Sequence, residues 1–192
     1  GRTPGAKEGT VSDAAIIRGL KYVSLFLEPS GGFAVRVINA SFGKFARSQL
    51  TSLLIRQLRE SANGILVIGA AGNEDTQRLA FPAAYADALA VANIDTGRSN
   101  QKAESSNFGR WVDISAPGMN ITSTIPDPSN IGSEPKNGTS MAAPVVSGVA
   151  GLLLAVEPDL SYSQLRERLL LTADPSIYTT VEYNKNYFPQ FS

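Results

Sequence analysis

Asn137-Gly138-Thr139-Ser140-Met141-Ala142-Ala143-Pro144 sets a glycine and two hydroxyl residues directly before an apolar run from Val145 to Val156. The run reads as a helix, so Ser140 falls at or beside its N-terminus. Free backbone N–H groups and the positive end of the helix dipole favour negative charge there. A serine so placed suits a reaction in which an oxyanion forms beside it. The same residues also fit a plain N-cap, for which Ser and Thr are common choices. A second stretch, Ile65 to Ala71, is a short apolar strand ending in Gly72-Asn73-Glu74. Ligands of open α/β sheets gather at the carboxyl ends of the strands, which is where Asn73 falls. Taken singly, an asparagine after a strand is also an ordinary turn residue.

Composition narrows the chemistry. The 192 residues, 43% of them apolar, are enough for one domain with a sizeable core. Seventeen basic and seventeen acidic side chains cancel, and no block of like charge points to nucleic acid or an anionic membrane surface. The run Val145–Val156 is shorter than the roughly 20 residues a bilayer requires and reads as a buried helix. The absence of cysteine excludes disulfides, thiolate metal sites and cysteine nucleophiles. The absence of histidine is more restrictive. A Ser–His–Asp mechanism needs an imidazole to take the serine proton and return it to the leaving amine. Gly1 to Thr10 lacks a signal-peptide pattern and reads as the middle of something longer.

Periodicity gives the secondary structure that would hold these residues in place. Ser12-Asp13 opens an amphipathic helix through Val23, and Pro29-Ser30-Gly31-Gly32 breaks the chain. Phe33 to Asn39 reads as a strand. A helix is expected from Ser48 to about Asn63, with Leu50, Leu53, Leu54 and Leu58 on one face and Gly64 as its stop. Ala88 to Ile94 and Trp111 to Ser115 read as further strands, and Ile125 to Asn137 as a loop. The serine helix is apolar almost all round, and Gly148 and Gly151 permit close packing, so it should be the most buried helix. Ser161 and Gln164 form a capping box for the last helix, and beyond Ala173 the pattern dissolves. Short apolar strands alternating with helices imply an α/β fold with a parallel sheet covered on both faces.

The string Gly138-Thr139-Ser140-Met141-Ala142-Ala143-Pro144 resembles the nucleophile motif of the subtilisin-like serine proteases, the subtilases. Ile65 to Glu74 resembles the family's strand-to-turn segment, whose asparagine donates its side-chain amide to the oxyanion. Val37-Ile38-Asn39-Ala40-Ser41-Phe42-Gly43 looks like the strand that binds the substrate backbone. The resemblance covers roughly residues 9–173 and matches the later part of one catalytic domain, to which 1–192 as a whole is assigned. It implies a partial subtilisin-like three-layer α/β/α sandwich with a mostly parallel sheet, the N-terminal strands being absent. It makes Ser140 the nucleophile, and Asn73 with the Ser140 N–H the oxyanion hole. An extended polypeptide substrate would add to Ser41-Phe42-Gly43 through main-chain hydrogen bonds. Ala70-Ala71-Gly72 would form the facing wall, with room for a large apolar P1 side chain, and Glu74 at the rim would admit a basic one.

Phe81-Pro82-Ala83-Ala84-Tyr85 resembles the family's aromatic–proline segment, with Pro82 a cis candidate. No cofactor is required, but a weak Ca²⁺ or monovalent cation site would use the carbonyls of Ala83, Tyr85 and Ala88 with Asp113. Asp95-Thr96-Gly97 resembles the triad-aspartate string, but its place after a strand far along the chain makes it a turn. Val145-Val146 follows Pro144 where relatives often carry a histidine–valine pair. The triad histidine and aspartate would precede Gly1, so the chain alone is expected to be inert. Its partners would be the missing N-terminal part of the domain or further copies of itself, with neither nucleic acid nor membrane. Export is the compartment the resemblance favours. The alternative is a non-catalytic subtilase-like module that binds polypeptide or serves as a scaffold.

Overall fold

A computed structural model describes residues 11–25, 35–62, 64–126 and 131–175. The Pro29–Gly32 break, the start of the Phe33 strand and the chain ends lie outside the described residues. The elements are α1 (Asp13–Ser24), β1 (Val37–Ala40), α2 (Gln49–Glu60), β2 (Leu66–Ala70), β3 (Ala88–Asp95), β4 (Gln101–Lys102), β5 (Ile114–Pro117), β6 (Ile121–Pro126), β7 (Ile131–Lys136), α3 (Thr139–Val156) and α4 (Tyr162–Leu171). Strands β1, β2, β3 and β5 are parallel neighbours in that order, and β4 pairs antiparallel with the end of β3. This is the expected mostly parallel α/β architecture.

Alternation along each strand divides the core between two faces. Leu66, Ile68 and Ala70 of β2 face α3 and α4, where they meet Ala142, Val146, Ala150 and Leu165. Ile65 and Val67 face the other way, onto Leu20 of α1 and Ile55 and Leu58 of α2. The sheet is therefore the middle of three layers. Gly69 shows how closely β2 is packed. A Cβ there would lie 2.7 Å from the Cα of Ala83 and 2.9 Å from its Cβ, so backbone would have to move. Gly69→Ala is expected to cost about 1–3 kcal/mol; an unchanged urea midpoint would refute this packing.

The helix caps fall as the sequence implies. Ser12 and Ser48 cap α1 and α2, and Ser161 and Gln164 close the capping box of α4. The peptide before Pro82 is cis. Asp95 caps a short 3-10 turn by accepting from Gly97 N at 2.9 Å, which bears out the turn reading of Asp95-Thr96-Gly97.

Four expectations need correction. The buried stripe of α2 is Thr51, Ile55 and Leu58, while Leu50 and Leu53 are exposed, because the i, i+4, i+7 series starts one residue later than assumed. The segment expected as a loop is a hairpin, β6 pairing with β7 from Ile121↔Lys136 to Pro126↔Ile131. Its Pro, Ser and Gly residues masked a ladder that stands apart from the main sheet. The fourth strand begins at Ile114, three residues later than expected. Lastly, α3 has more buried residues than any other described helix, but it is not covered all round. It buries Thr139, Ala142, Ala143, Val146 and Ala150 on the sheet, but Val145, Val149, Leu152 and Val156 are exposed. A Cβ on Gly148 or Gly151 would meet nothing within 4 Å, so no described residue packs closely on them.

Candidate active site

The site forms where β1 and β2 end and α3 begins. Gly138 is the N-cap residue of α3 at φ 144°, without a side-chain cap, a conformation L side chains rarely adopt. Ser140 therefore lies in the first turn, and the simple capping role for its hydroxyl falls away. The first-turn donors are divided unequally. Thr139 N donates to Asn73 Oδ1 at 2.9 Å, and Met141 N and Ala142 N reach Gly138 O at 3.0 and 3.3 Å. Ser140 N has no hydrogen-bond partner among the described residues. A helix N-terminus leaves such donors over by construction.

Asn73 supplies the matching half. Its Oδ1 accepts from both Thr139 N and Thr139 Oγ1, the latter at 3.2 Å, and Thr139 Oγ1 in turn accepts from Gly72 N at 3.0 Å. With the amide oxygen committed, Nδ2 is the end left to donate, and it too has no partner among the described residues. Thr139, quoted in the motif but given no role from sequence, is what turns the amide. A hydroxyl directly before the serine was the available signal.

The nucleophile candidate is held through a proline. Pro144 has no N–H to donate to the carbonyl four residues back, so the carbonyl of Ser140 is freed from the helix ladder. Ser41 Oγ donates to it at 2.8 Å, and Ser140 Oγ donates to Ser41 O at 3.0 Å. This reciprocal pair fixes the end of β1 against the start of α3. Asn39 Nδ2 donates to Ser41 Oγ at 2.8 Å and keeps that hydroxyl in place.

These groups share one cleft of about 380 Å³, lined among others by Val11, Ile16, Ser41, Phe42, Gly43, Lys44, Ala70, Gly72, Asn73, Glu74, Thr139 and Ser140. Ala71 is the exception among the residues expected there. Alternation turns its side chain away from Ala70's, into a separate cluster with Ala92 and Val112. Glu74 is exposed, and its carboxylate accepts from Asn107 Nδ2 at 2.7 Å. A Lys44–Asp13 ion pair, which sequence reasoning missed, ties the loop after β1 to the start of α1. Lys44 also exchanges two backbone hydrogen bonds with Phe81, at 3.0 and 2.8 Å. Together these put a charge pair beside apolar Val11 and Ile16 on one side of the cleft.

The residues expected to hold a cation do not fit Ca²⁺, which takes six to eight oxygens. Asp113, their only carboxylate, accepts from Ala90 N at 2.8 Å and is ion-paired with Arg166. The Tyr85 carbonyl is engaged by Ala88 N at 2.9 Å. Burial pushes the Asp113 carboxyl up from its ordinary value, against the opposing pull of the Ala90 N–H and the Arg166 guanidinium. A folded state that binds the proton more tightly loses this contribution as pH rises through the folded value. Asp113→Asn should therefore remove a fall in stability just above the ordinary carboxylate range. Thermal melts between about pH 3.5 and 6 check this, and parallel wild-type and variant profiles would contradict it.

Comparison with known proteins places the chain in a family. The Subtilase family profile matches residues 3–188. The chain belongs to that family. It is 36% identical over 148 residues to a thermostable alkaline protease of Halalkalibacterium halodurans, covering 75% of this chain and 39% of the relative. It is 38% identical over 149 residues to Subtilisin BL of Lederbergia lenta, covering 77% and 52%. With Subtilisin Savinase from the same organism it shares 36% over 167 residues, covering 86% and 56%. The chain thus spans roughly two-fifths to just over half of the length of these relatives.

Proposed function

We propose that this chain is the nucleophile-bearing part of a serine endopeptidase of subtilisin type, with Ser140 attacking the peptide carbonyl. Asn73 Nδ2 and Ser140 N stabilise the resulting oxyanion. The substrate lies extended along Ser41-Phe42-Gly43, its P1 side chain entering the cleft beside Ala70 and Gly72. The triad histidine and aspartate come from polypeptide outside this chain, and without them it is inert. Hydrolysis needs no cofactor, and export is the compartment favoured by family.

The observation that carries this reading is a pair of donors without a partner among the described residues, Asn73 Nδ2 and Ser140 N, on two residues that line the same cleft. A module that only binds polypeptide needs neither donor. The reading is tested by the upstream sequence and by reconstitution. An upstream Asp-Ser/Thr-Gly segment followed by His-Gly-Thr, and peptide hydrolysis once that polypeptide is combined with this chain, are the expected results. Substitutions at the upstream Asp or His would sink the enzyme and leave the binding module.

The same upstream polypeptide is the proposed partner for two open surfaces. The β1 edge opposite β2 is unpaired among the described residues. On α3, Val145, Val149, Leu152 and Val156 are 38%, 45%, 69% and 81% exposed. Complete burial of such side chains is worth about 1.5–3 kcal/mol each, and an open strand edge invites pairing. The chain alone is therefore expected to self-associate or to be marginally stable. Adding the upstream polypeptide should raise its melting temperature and yield a defined complex. A stable monodisperse monomer in analytical ultracentrifugation would contradict the proposal.

A further inference from the structure

The loop that carries Asn73 is gripped from one side by the segment running from Lys102 to Phe108. Asn107 is fully buried. Its Oδ1 accepts from Glu74 N at 3.0 Å and Thr76 N at 3.2 Å, and its Nδ2 donates to Ala71 O at 2.9 Å. The backbone adds Asn107 N to Gly72 O at 2.9 Å, Asp75 N to Ser105 O at 3.0 Å and Phe108 N to Thr76 O at 3.2 Å. The main chain is thus tied on both sides of Asn73, while Thr139 sets the rotation of its amide.

The gripping segment is wound around a buried charge. The Lys102 side chain is 1% exposed. Its Nζ donates to the carbonyls of Ala103, Glu104 and Ser106 at 3.0, 3.1 and 3.1 Å, and to the Asp75 carboxylate at 2.7 Å. The Phe108 ring centroid lies 5.2 Å away. Lysine presents a compact point charge with three donors, and a buried charge persists only where such oxygens compensate it. Three main-chain carbonyls and one carboxylate surround this ammonium as they would a bound cation. Asp75 belongs to the gripped loop, so the charge joins both segments.

We propose that Lys102 is a tethered cation with a positioning role: together with Asn107 it fixes residues 71–76 so that the Asn73 amide stays aimed into the cleft. This rests on Asn73 being the oxyanion donor, but the grip acts on the loop whether or not turnover occurs. Removing the side chain leaves four oxygen acceptors around a space the size of an ammonium ion, which a small free cation can refill. Ordinary packing has no such remedy.

The test uses this chain, ¹⁵N-labelled, in its complex with the upstream polypeptide. In Lys102→Ala, amide exchange at Glu74, Asp75 and Thr76 should accelerate roughly tenfold or more, with β2 and β3 unchanged and the Asn73 side-chain resonances displaced. Ammonium or potassium should restore protection; tetramethylammonium, too large for the site, should not. Asn107→Ala should loosen the same three amides without cation rescue. The proposal is overturned if those amides are unaffected in either variant, if exchange rises equally throughout β2 and β3, or if tetramethylammonium restores as well as ammonium. Should Lys102→Ala not fold, Asn107→Ala decides by the same amides and the Asn73 signal. These readouts need no peptidase activity, so failure of the enzyme assignment leaves them interpretable.

Discussion

Ser140→Ala, made in this chain combined with the proposed histidine-bearing upstream polypeptide, is expected to lower kcat by roughly 10⁶, while in the isolated chain it changes nothing measurable. The magnitude is the one established for subtilisin, a relative in this family. The asymmetry between the two backgrounds is what the structure contributes. In this chain the Ser140 hydroxyl donates to the Ser41 carbonyl, a group that cannot take its proton. With no histidine anywhere in the sequence, no imidazole is present to activate it or to protonate the leaving amine. Hydrolysis of a fluorogenic peptide, measured on the chain and on the completed protein with and without the substitution, checks both halves. Labelling of Ser140 by a fluorophosphonate should be correspondingly slow in the chain alone. Turnover by the purified chain that survives Ser140→Ala would show that its chemistry lies elsewhere.

Asn73→Ala in the completed protein is expected to lower kcat by about 10²–10³ with KM little changed, again a magnitude known from subtilisin. The split between the two constants follows from where the amide points. Its oxygen is already bonded to Thr139 N and Oγ1, and its NH₂ end has no partner among the described residues. A donor in that position meets charge that develops only as the carbonyl is attacked, so its loss weakens the transition state more than the bound substrate. Asn73→Asp should be at least as damaging, because a carboxylate would repel the oxyanion. A large rise in KM with kcat preserved would instead make Asn73 a substrate-binding residue.

Much of this protein was legible without coordinates, for local physical reasons. Apolar runs of strand length between amphipathic helices specify a parallel sheet with two covered faces. Serine caps mark where α1, α2 and α4 begin. The Gly-Thr-Ser-Met-Ala-Ala-Pro string and the Gly-Asn-Glu turn are long enough to be read as family motifs, and the missing histidine is plain from composition. Misreadings arose where local signals conflicted. The β6–β7 hairpin looked like a loop because prolines and serines interrupt its alternation, and α2 was rotated because its leucines compete with Thr51 and Ile55 for the buried face.

The order of side chains within short segments was enough to specify most of the elements, the family and the two residues proposed to carry the chemistry. How those segments meet was settled only by packing. It brought Thr139 onto the Asn73 amide, Ser41 onto the carbonyl freed by Pro144, and Asn107 with Lys102 onto the loop that carries Asn73. It also left one face of α3 exposed. Each of these is a contact, or a missing contact, between positions far apart along the chain, where hydrogen-bond geometry and burial depend on the folded whole rather than on neighbouring residues.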